Sequence, residues 1–253
     1  MLDEARAWLA EFAHENLGTE IALGSPGAWN VAFAHRSDGS LAGVSAHSPG
    51  GQWFLEADGS TATADLVAEV AGASRDSGRW PAKVTTSGAV KPWLRPLLAD
   101  HAVMLVREHD LLAMACSAAP ADGQGRWAVP ADRPALERYQ ALYNDERHTT
   151  LAPDWDSLLR RPAVAVLERD GRIVAVVKRT ADTARYATIG GTWTDPAYRG
   201  RGVAKRLTAF LIGELRRDRA AVHLIVDDDN AAAIALYRSL NFHAVGGCYM
   251  AYL

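Results

Sequence analysis

Apolar positions along the chain follow two spacings, and the change from one to the other marks the elements. Residues 222–226, Val-His-Leu-Ile-Val, form a β-branched run of strand length. Residues 230–240 carry apolar side chains at helical spacing, and 242–245 and 248–253 read as two further strands. Upstream, Asp132 and Pro134 open a helix that runs to about Arg147, the first as a cap and the second as an early helical proline. A shorter helix follows at 154–161. Strands at 163–168 and 172–178 meet at Asp170-Gly171, a strong hairpin signal. A strand at 186–194 leads to a helix at 203–217, with Val203, Leu207, Phe210, Leu211 and Leu215 on one repeating face. The first half reads the same way: an N-terminal helix, strands 29–35 and 41–47 around Asp38-Gly39, a strand at 52–56, and a helix from Ala62 to about Ala73. The pattern predicts a mixed α+β (α/β) fold of mixed, mostly antiparallel sheets with helices on both faces.

The two halves are related. Residues 230–245 lie over 88–103 without a gap, at an offset of 142. Ala231 matches Ala89, Leu236 matches Leu94, Leu240 matches Leu98, and a His-Ala-Val triplet closes both windows. Identities alone could arise by chance in an alanine-rich chain; the shared element order carries more weight. Two copies of one unit predict two tandem domains, residues 1–120 and 126–253, joined by the turn-forming stretch 119–125.

Composition narrows the class. Of 253 residues, 49% are hydrophobic and 23% charged, which excludes disordered, collagenous and disulfide-scaffold chains. Net charge is −3 with scattered Lys and Arg, so no basic face is available for nucleic acid. Cys116 and Cys248 lie far apart, without a CxxC or His pairing, and read as buried free thiols rather than a metal or redox site. No apolar run is long enough to span a membrane. Met1 to Trp8 has an amphipathic pattern with acids in its first turn, unlike a signal peptide, so the expected location is cytoplasmic.

The stretch that carries chemistry is 190–204. It leaves a strand, makes a loop rich in Gly and Arg, and enters a helix. Gly200 and Gly202 can adopt positive φ and let a ligand approach the backbone, while free N–H groups and the helix dipole favour negative charge. Arg199, Arg201 and Lys205 add cations suited to a pyrophosphate. A tight loop with solvated arginines is the plain alternative. The spacing fits neither a dinucleotide fingerprint nor a P-loop. In the order Arg199-x-x-Gly202-x-Ala204, after Asp195-Pro196, it resembles the acyl-CoA signature of the GCN5-related N-acetyltransferases. A second stretch, Asn230-x-x-Ala233-x-x-Leu236-Tyr237-x-x-x-Asn241-Phe242, resembles that family's other motif, with Asn241 where the family has glycine. Asn tolerates the left-handed conformation that a helix C-cap needs. The resemblance covers residues 128–253.

It implies an N-acetyltransferase that uses acetyl-CoA as co-substrate, with no metal, and an amine acceptor that is a small molecule in preference to a protein. It implies that strands 186–194 and 222–227 splay apart around the pantetheine arm. Backbone groups of Trp193 and Thr194 then face the thioester, and an N–H there can stabilise the oxyanion. Arg199, Gly200, Arg201, Gly202, Val203, Ala204 and Lys205 hold the pyrophosphate. Tyr237 protonates the departing thiolate, and Asn230 and Ala233 stand beside the ligand, Asn230 also as a helix cap. A base must deprotonate the amine; Glu146 is the first candidate, with Asp145, His148 and Asp227 as others. Each also reads as an ordinary solvated surface group. The acceptor pocket falls to the early helices and the loop 145–153, where Asp145, Glu146 and Asp154 weakly favour a cationic amine. In the first half, Ala57 and Gly59 stand where Arg199 and Arg201 would be, and Asp58 between them would repel a pyrophosphate, so that copy reads as degenerate. A non-catalytic acetyl-CoA sensor is the alternative reading; the sequence leaves the acceptor and the oligomeric state open.

Overall fold

The computed structural model describes residues 2–11 and 17–253. In chain order the first half contains α1 (Leu2–Glu11), α2 (Leu17–Gly24), β1 (Trp29–His35), β2 (Leu41–His47), β3 (Gln52–Ala57), α3 (Thr61–Ser77), β4 (Lys83–Ser87), α4 (Lys91–Asp100) and β5 (Arg107–Cys116). The second contains β6 (Arg126–Trp127), α5 (Arg133–Arg147), α6 (Trp155–Leu159), β7 (Val164–Arg169), β8 (Arg172–Asp182), β9 (Tyr186–Thr194), α7 (Val203–Leu215), β10 (Ala221–Asp227), α8 (Ala231–Arg238) and β11 (His243–Tyr252). Apart from the short β6, both halves run helix, helix, three strands, helix, strand, helix, strand. The repeat is one of element order more than of fixed spacing. Val203 and Thr61, which open α7 and α3, are 142 apart, but the hairpin residues Asp170 and Asp38 are 132 apart. Met1, where the expected N-terminal helix starts, lies outside the described residues.

Packing divides the chain into two compact units. One comprises Met1–Met114, Ile225–Asn230 and Ala244–Leu253; the other comprises Ala115–Leu224 and Ala231–His243. The division at 1–120 and 126–253 follows chain order, whereas these units interleave. In the first unit β1, β2 and β3 pair antiparallel, β3 and β4 pair parallel, and β4 pairs antiparallel with β11. The second unit repeats the pattern, with β6, β7, β8 and β9 antiparallel and β9 and β10 parallel.

Local chemistry explains the punctuation. Asp170 and Gly171 take φ of 51° and 70°, as a two-residue turn between right-twisted strands requires. Asp154 caps α6 by accepting the Ser157 N–H at 3.0 Å. Asn241 takes φ 65° after α8, and the Phe242 N–H returns to the Tyr237 carbonyl, so this asparagine makes the left-handed cap expected of it.

Three expectations change. The strands predicted at 242–245 and 248–253 are one strand, β11, because Gly246-Gly247 stays extended instead of turning. The strand predicted to end at Lys178 continues to Asp182. The stretch 119–125, expected to join two domains, lies wholly within the second unit, exposed but held to α7: a Cβ on Gly123 would stand 2.5 Å from the Phe210 nitrogen, and the Gln124 N–H bonds the Arg206 carbonyl.

Each unit has its own core. Trp53, Leu55, Leu66, Val70, Leu94, Leu98 and Tyr249 fill the first. In the second, Leu136, Tyr139, Trp155, Val164, Val166, Val176 and Trp193 form a cluster, while α7 buries Leu207, Leu211, Ile212 and Leu215.

The first core also buries a histidine. His47 is inaccessible to solvent, its ring centroid 4.3 Å from that of Trp29 and 5.5 Å from that of Trp53, and burial lowers its pKa to about 4. Between its unfolded value of 6.5 and about 4, the unfolded chain binds a proton that the folded chain refuses. Stability is therefore expected to fall by up to about 3 kcal/mol as pH drops through this window. Urea denaturation at pH 7 and pH 4.5 checks this; His47→Phe should remove that share of the pH dependence.

Candidate active site

The second unit's parallel pair separates. β9 and β10 are in register only at Tyr186, Ala187 and Thr188 opposite Ala221, Val222 and His223. Beyond this, β9 runs six residues further with no registered pairing to β10, leaving the N–H and C=O groups of that β9 edge to other partners. The first unit's equivalent pair does not part: β3 and β4 stay paired from Gln52 opposite Lys83 to Leu55 opposite Thr86, close to both strand ends.

β9 is also bulged. Val176 faces Trp193 and Lys178 faces Gly190, so Gly191 and Thr192 together oppose Val177 alone. Gly191 has φ 61°, and its carbonyl accepts from the Tyr139 hydroxyl at 2.7 Å. A Cβ there would lie 2.5 Å from Lys178 Cε and force that side chain to shift, and the positive φ strains any residue but glycine. Thr192 meets the Tyr237 hydroxyl at 3.3 Å. Tyr237 is buried on α8 with its pKa raised by burial, so it stays protonated at neutral pH. Thr194 is buried, and its hydroxyl has no hydrogen-bond partner among the described residues.

After β9 the chain turns at Asp195, which accepts the Ala197 N–H at 2.9 Å. Gly200 and Gly202 take φ of 72° and 71°, and the space beside Gly200 is open. The first hydrogen bond of α7 runs from the Arg206 N–H to the Gly202 carbonyl at 3.1 Å, which leaves the N–H groups of Val203, Ala204 and Lys205 without helical acceptors. Arg201 and Lys205 enter no ion pair among the described residues. Arg199 differs: its Nε donates to the Thr194 carbonyl at 2.9 Å and its Nη2 to Glu146 at 2.6 Å. Arg206, absent from the sequence reading, folds back so that its Nη2 donates to the Arg201 carbonyl at 2.8 Å.

The corresponding turn in the first unit supplies its own anion. Asp58 accepts the Ser60 N–H at 2.9 Å and pairs with Arg36, just before α3.

The candidate bases are scattered. Glu146 accepts from both Arg199 and the Trp193 indole, and Arg199 holds its pKa below the ordinary carboxylate value. A carboxylate so held is a weak base. Asp145 is exposed near the end of α5, and His148 takes φ 50° as that helix's C-cap. Asp227 lies 3.7 Å from His109 in the first unit. Asn230 precedes α8 and Ala233 lies on its first turn. Among the described residues no cluster of His, Cys, Asp or Glu could hold a metal, and no helix is long and apolar enough to cross a membrane.

Sequence reading also missed Lys178. It follows four buried residues, Val174–Val177, and is itself only 8% exposed. Its Nζ donates to Gln140 Oε1 at 3.1 Å and lies 5.5, 5.7 and 5.9 Å from the ring centroids of Tyr139, Tyr143 and Trp155. Burial lowers its pKa to about 8. The available signal was a lysine continuing an apolar strand run, which reads equally well as the strand's exposed end.

Comparison with known proteins agrees with this geometry. Residues 130–242 match the model of the acetyltransferase (GNAT) family. The chain is 49% identical over 59 residues to the N-alpha-acetyltransferase RimI of Mycobacterium tuberculosis, covering 23% of this chain and 34% of RimI. It is 52% identical over 54 residues to an uncharacterized protein of Mycobacterium leprae, covering 21% of this chain and 14% of that protein. The matched segment is thus well under half the length of either relative. A GCN5-related N-acetyltransferase from Sphaerobacter thermophilus shares the fold over 98% of this chain and 84% of its own, with TM-score 0.59 and 21% identity.

Lys178 gives a measurable signature. Between pH 8 and its unfolded value of 10.5, the unfolded chain holds a proton that the folded chain has lost, so stability rises with pH across this window. The contribution is expected to reach about 3 kcal/mol. Denaturation midpoints at pH 8 and pH 10 should show the rise in the wild type, with that share missing in Lys178→Met.

Proposed function

We propose that this chain, whose residues 130–242 form a domain of the GNAT acetyltransferase family, transfers an acetyl group from acetyl-CoA to an amine by direct attack in a ternary complex. The observation that carries this reading is the parting of β9 from β10 immediately before a turn with two positive-φ glycines and a helix N-terminus. The residues fit acetyl-CoA. The edge of β9 beyond its β10 register offers sheet-like hydrogen bonds to a pantetheine amide, and the buried Thr194 hydroxyl lacks a partner among the described residues. Backbone groups of Trp193 and Thr194 face the thioester in this reading. The N–H groups of Val203, Ala204 and Lys205, with the open backbone at Gly200 and Gly202, suit a pyrophosphate.

Charge is divided differently from the motif's first suggestion. Arg201 and Lys205 supply the cations for the phosphates, while Arg199 braces the loop between Thr194 and Glu146. Glu146 then orients Trp193 and Arg199 rather than serving as the base. As the neutral amine nitrogen bonds to the acetyl carbon, the carbon–sulfur bond breaks and Tyr237 gives its proton to the thiolate; the proton shed by the nitrogen passes to water, from which Tyr237 regains one.

The first unit is read as a degenerate copy of the same design. Its β3–β4 pair stays closed, and Asp58 occupies the helix-start position a phosphate would need. The acceptor is a small amine in preference to a protein, and RimI's activity adds peptide α-amines to the compounds worth assaying. An acetyl-CoA sensor without turnover is the competing reading; the buried, protonated Tyr237 beside Thr192 favours catalysis.

Calorimetric titration with acetyl-CoA tests the site. Saturable binding is expected in the wild type and its loss in Arg199→Ala combined with Gly202→Asp, since an aspartate there brings a strained positive φ and a repelling charge. Absence of binding in the wild type would end the enzyme reading.

Tyr237→Phe should bind acetyl-CoA about as well as the wild type while releasing CoA thiol about 10²–10⁴-fold more slowly. An unchanged rate would remove the acid role.

A further inference from the structure

Lys178 is more than a buried charge, because a directed chain of hydrogen bonds starts at it. The groups facing it are Tyr139, Gln140 and Tyr143 from α5, Trp155 from α6, and the Gly191 backbone from β9. No ion pair involves it among the described residues. Its donation to Gln140 Oε1 fixes which end of that amide faces inward, since the NH₂ end would meet the ammonium donor to donor. Gln140 Nε2 therefore points to Asn144 Oδ1 at 2.9 Å. Asn144 is oriented in turn, with Oδ1 also accepting from the Thr149 hydroxyl at 2.9 Å and Nδ2 donating to the Leu151 carbonyl at 2.9 Å. The Thr149 N–H closes on the Asn144 carbonyl at 3.0 Å. A lysine buried at the sheet thus sets the polarity of every link out to the segment that leaves α5, where Leu151 stands exposed.

We propose that Lys178 is a positioning residue for the acceptor amine, acting through Gln140 and Asn144 to fix the conformation of residues 148–151. This rests on the acetyltransferase reading above, in which that segment borders the acceptor pocket. The chain makes no use of the β9 edge or the 199–205 turn, so acceptor affinity should depend on it and acetyl-CoA affinity should not.

Hydrogen exchange with mass spectrometry tests the positioning directly on the full chain. Lys178→Met keeps the stem's bulk and removes the donor. Asn144→Asp, at a half-buried position, keeps Oδ1 and replaces the donor to Leu151 by a charged acceptor oxygen that repels that carbonyl. Exchange in peptides covering 148–153 is expected to speed up about tenfold in both variants, the scale of one lost hydrogen bond. Exchange in α7 and acetyl-CoA affinity should stay within about twofold. Unchanged exchange at 148–153 in Asn144→Asp, which does not depend on how Lys178→Met folds, would overturn the proposal. Thiol release from acetyl-CoA with spermidine, lysine and trialanine as acceptors tests the second part. A KM for amine that rises about tenfold with kcat nearly kept supports it, and an unchanged KM overturns it. If the wild type turns over none of these amines, the catalytic reading fails, and the exchange result alone decides whether Lys178 fixes the segment.

Discussion

Two parallel strands that begin paired and then part impose the constraint on which the second unit depends. A β-strand edge carries obligatory donors and acceptors, and leaving a buried one empty costs about 1–3 kcal/mol per group. β9 and β10 part after Thr188 and His223, so the gap persists only because the surroundings hold it. The bulge at Gly191 and Thr192 bends β9, Tyr139 ties down the turned Gly191 carbonyl, and Tyr237 reaches Thr192 from α8. Arg199, fastened to Thr194 and Glu146, fixes the strand's exit into the glycine turn. Each contact fixes a different point of β9. In the first unit β3 remains paired with β4 almost to its end.

The interleaving of the units follows from a second backbone requirement. β4 pairs with β3 on one side, and its other side is satisfied by β11, in register from Cys248 opposite Ser87 to Tyr252 opposite Lys83. The strand that closes the chain therefore completes the sheet of the first unit, burying Tyr249 and Ala251 in its core. Cutting the chain near residue 120 would strip β11 of this partner and expose apolar side chains. Loss of activity after such a cut could then reflect a lost strand pairing as readily as a lost acceptor surface.

What could be read from the sequence was whatever one segment settles by itself. Asp170-Gly171 demanded a turn, Gly202 and Asn241 a left-handed residue, and each does in the structure what its chemistry allows. The parted strands were expected only through the resemblance; in the structure β9 and β10 are in register only from Tyr186 to Thr188. What escaped depends on distant residues. Nothing in the 248–253 pattern says that its partner is residues 83–87, since alternation names a face and not a neighbour. Glu146 and Arg199 are 53 residues apart, and their pairing converts one candidate base and one candidate phosphate ligand into a brace. The electrostatic case for a cationic acceptor weakens for the same reason, because Glu146 is paired, Asp154 is a cap, and a lysine sits nearby in the same unit.

Lys178 shows how a destabilising residue can be informative. Burying an ammonium without a carboxylate is costly, and here the partners are one amide oxygen and three aromatic rings. An apolar residue at this point of β8 would pack in the same core at less cost. What it could not do is impose polarity: a methyl group leaves Gln140 free to present either end to Asn144, and the asparagine free to follow. The ammonium removes that freedom through two successive amides and transmits it to Thr149 and Leu151. Conformational choice at an exposed segment is thus set by a charge in the core, and the stability lost in burying it is exchanged for a single conformation where a substrate would be recognised.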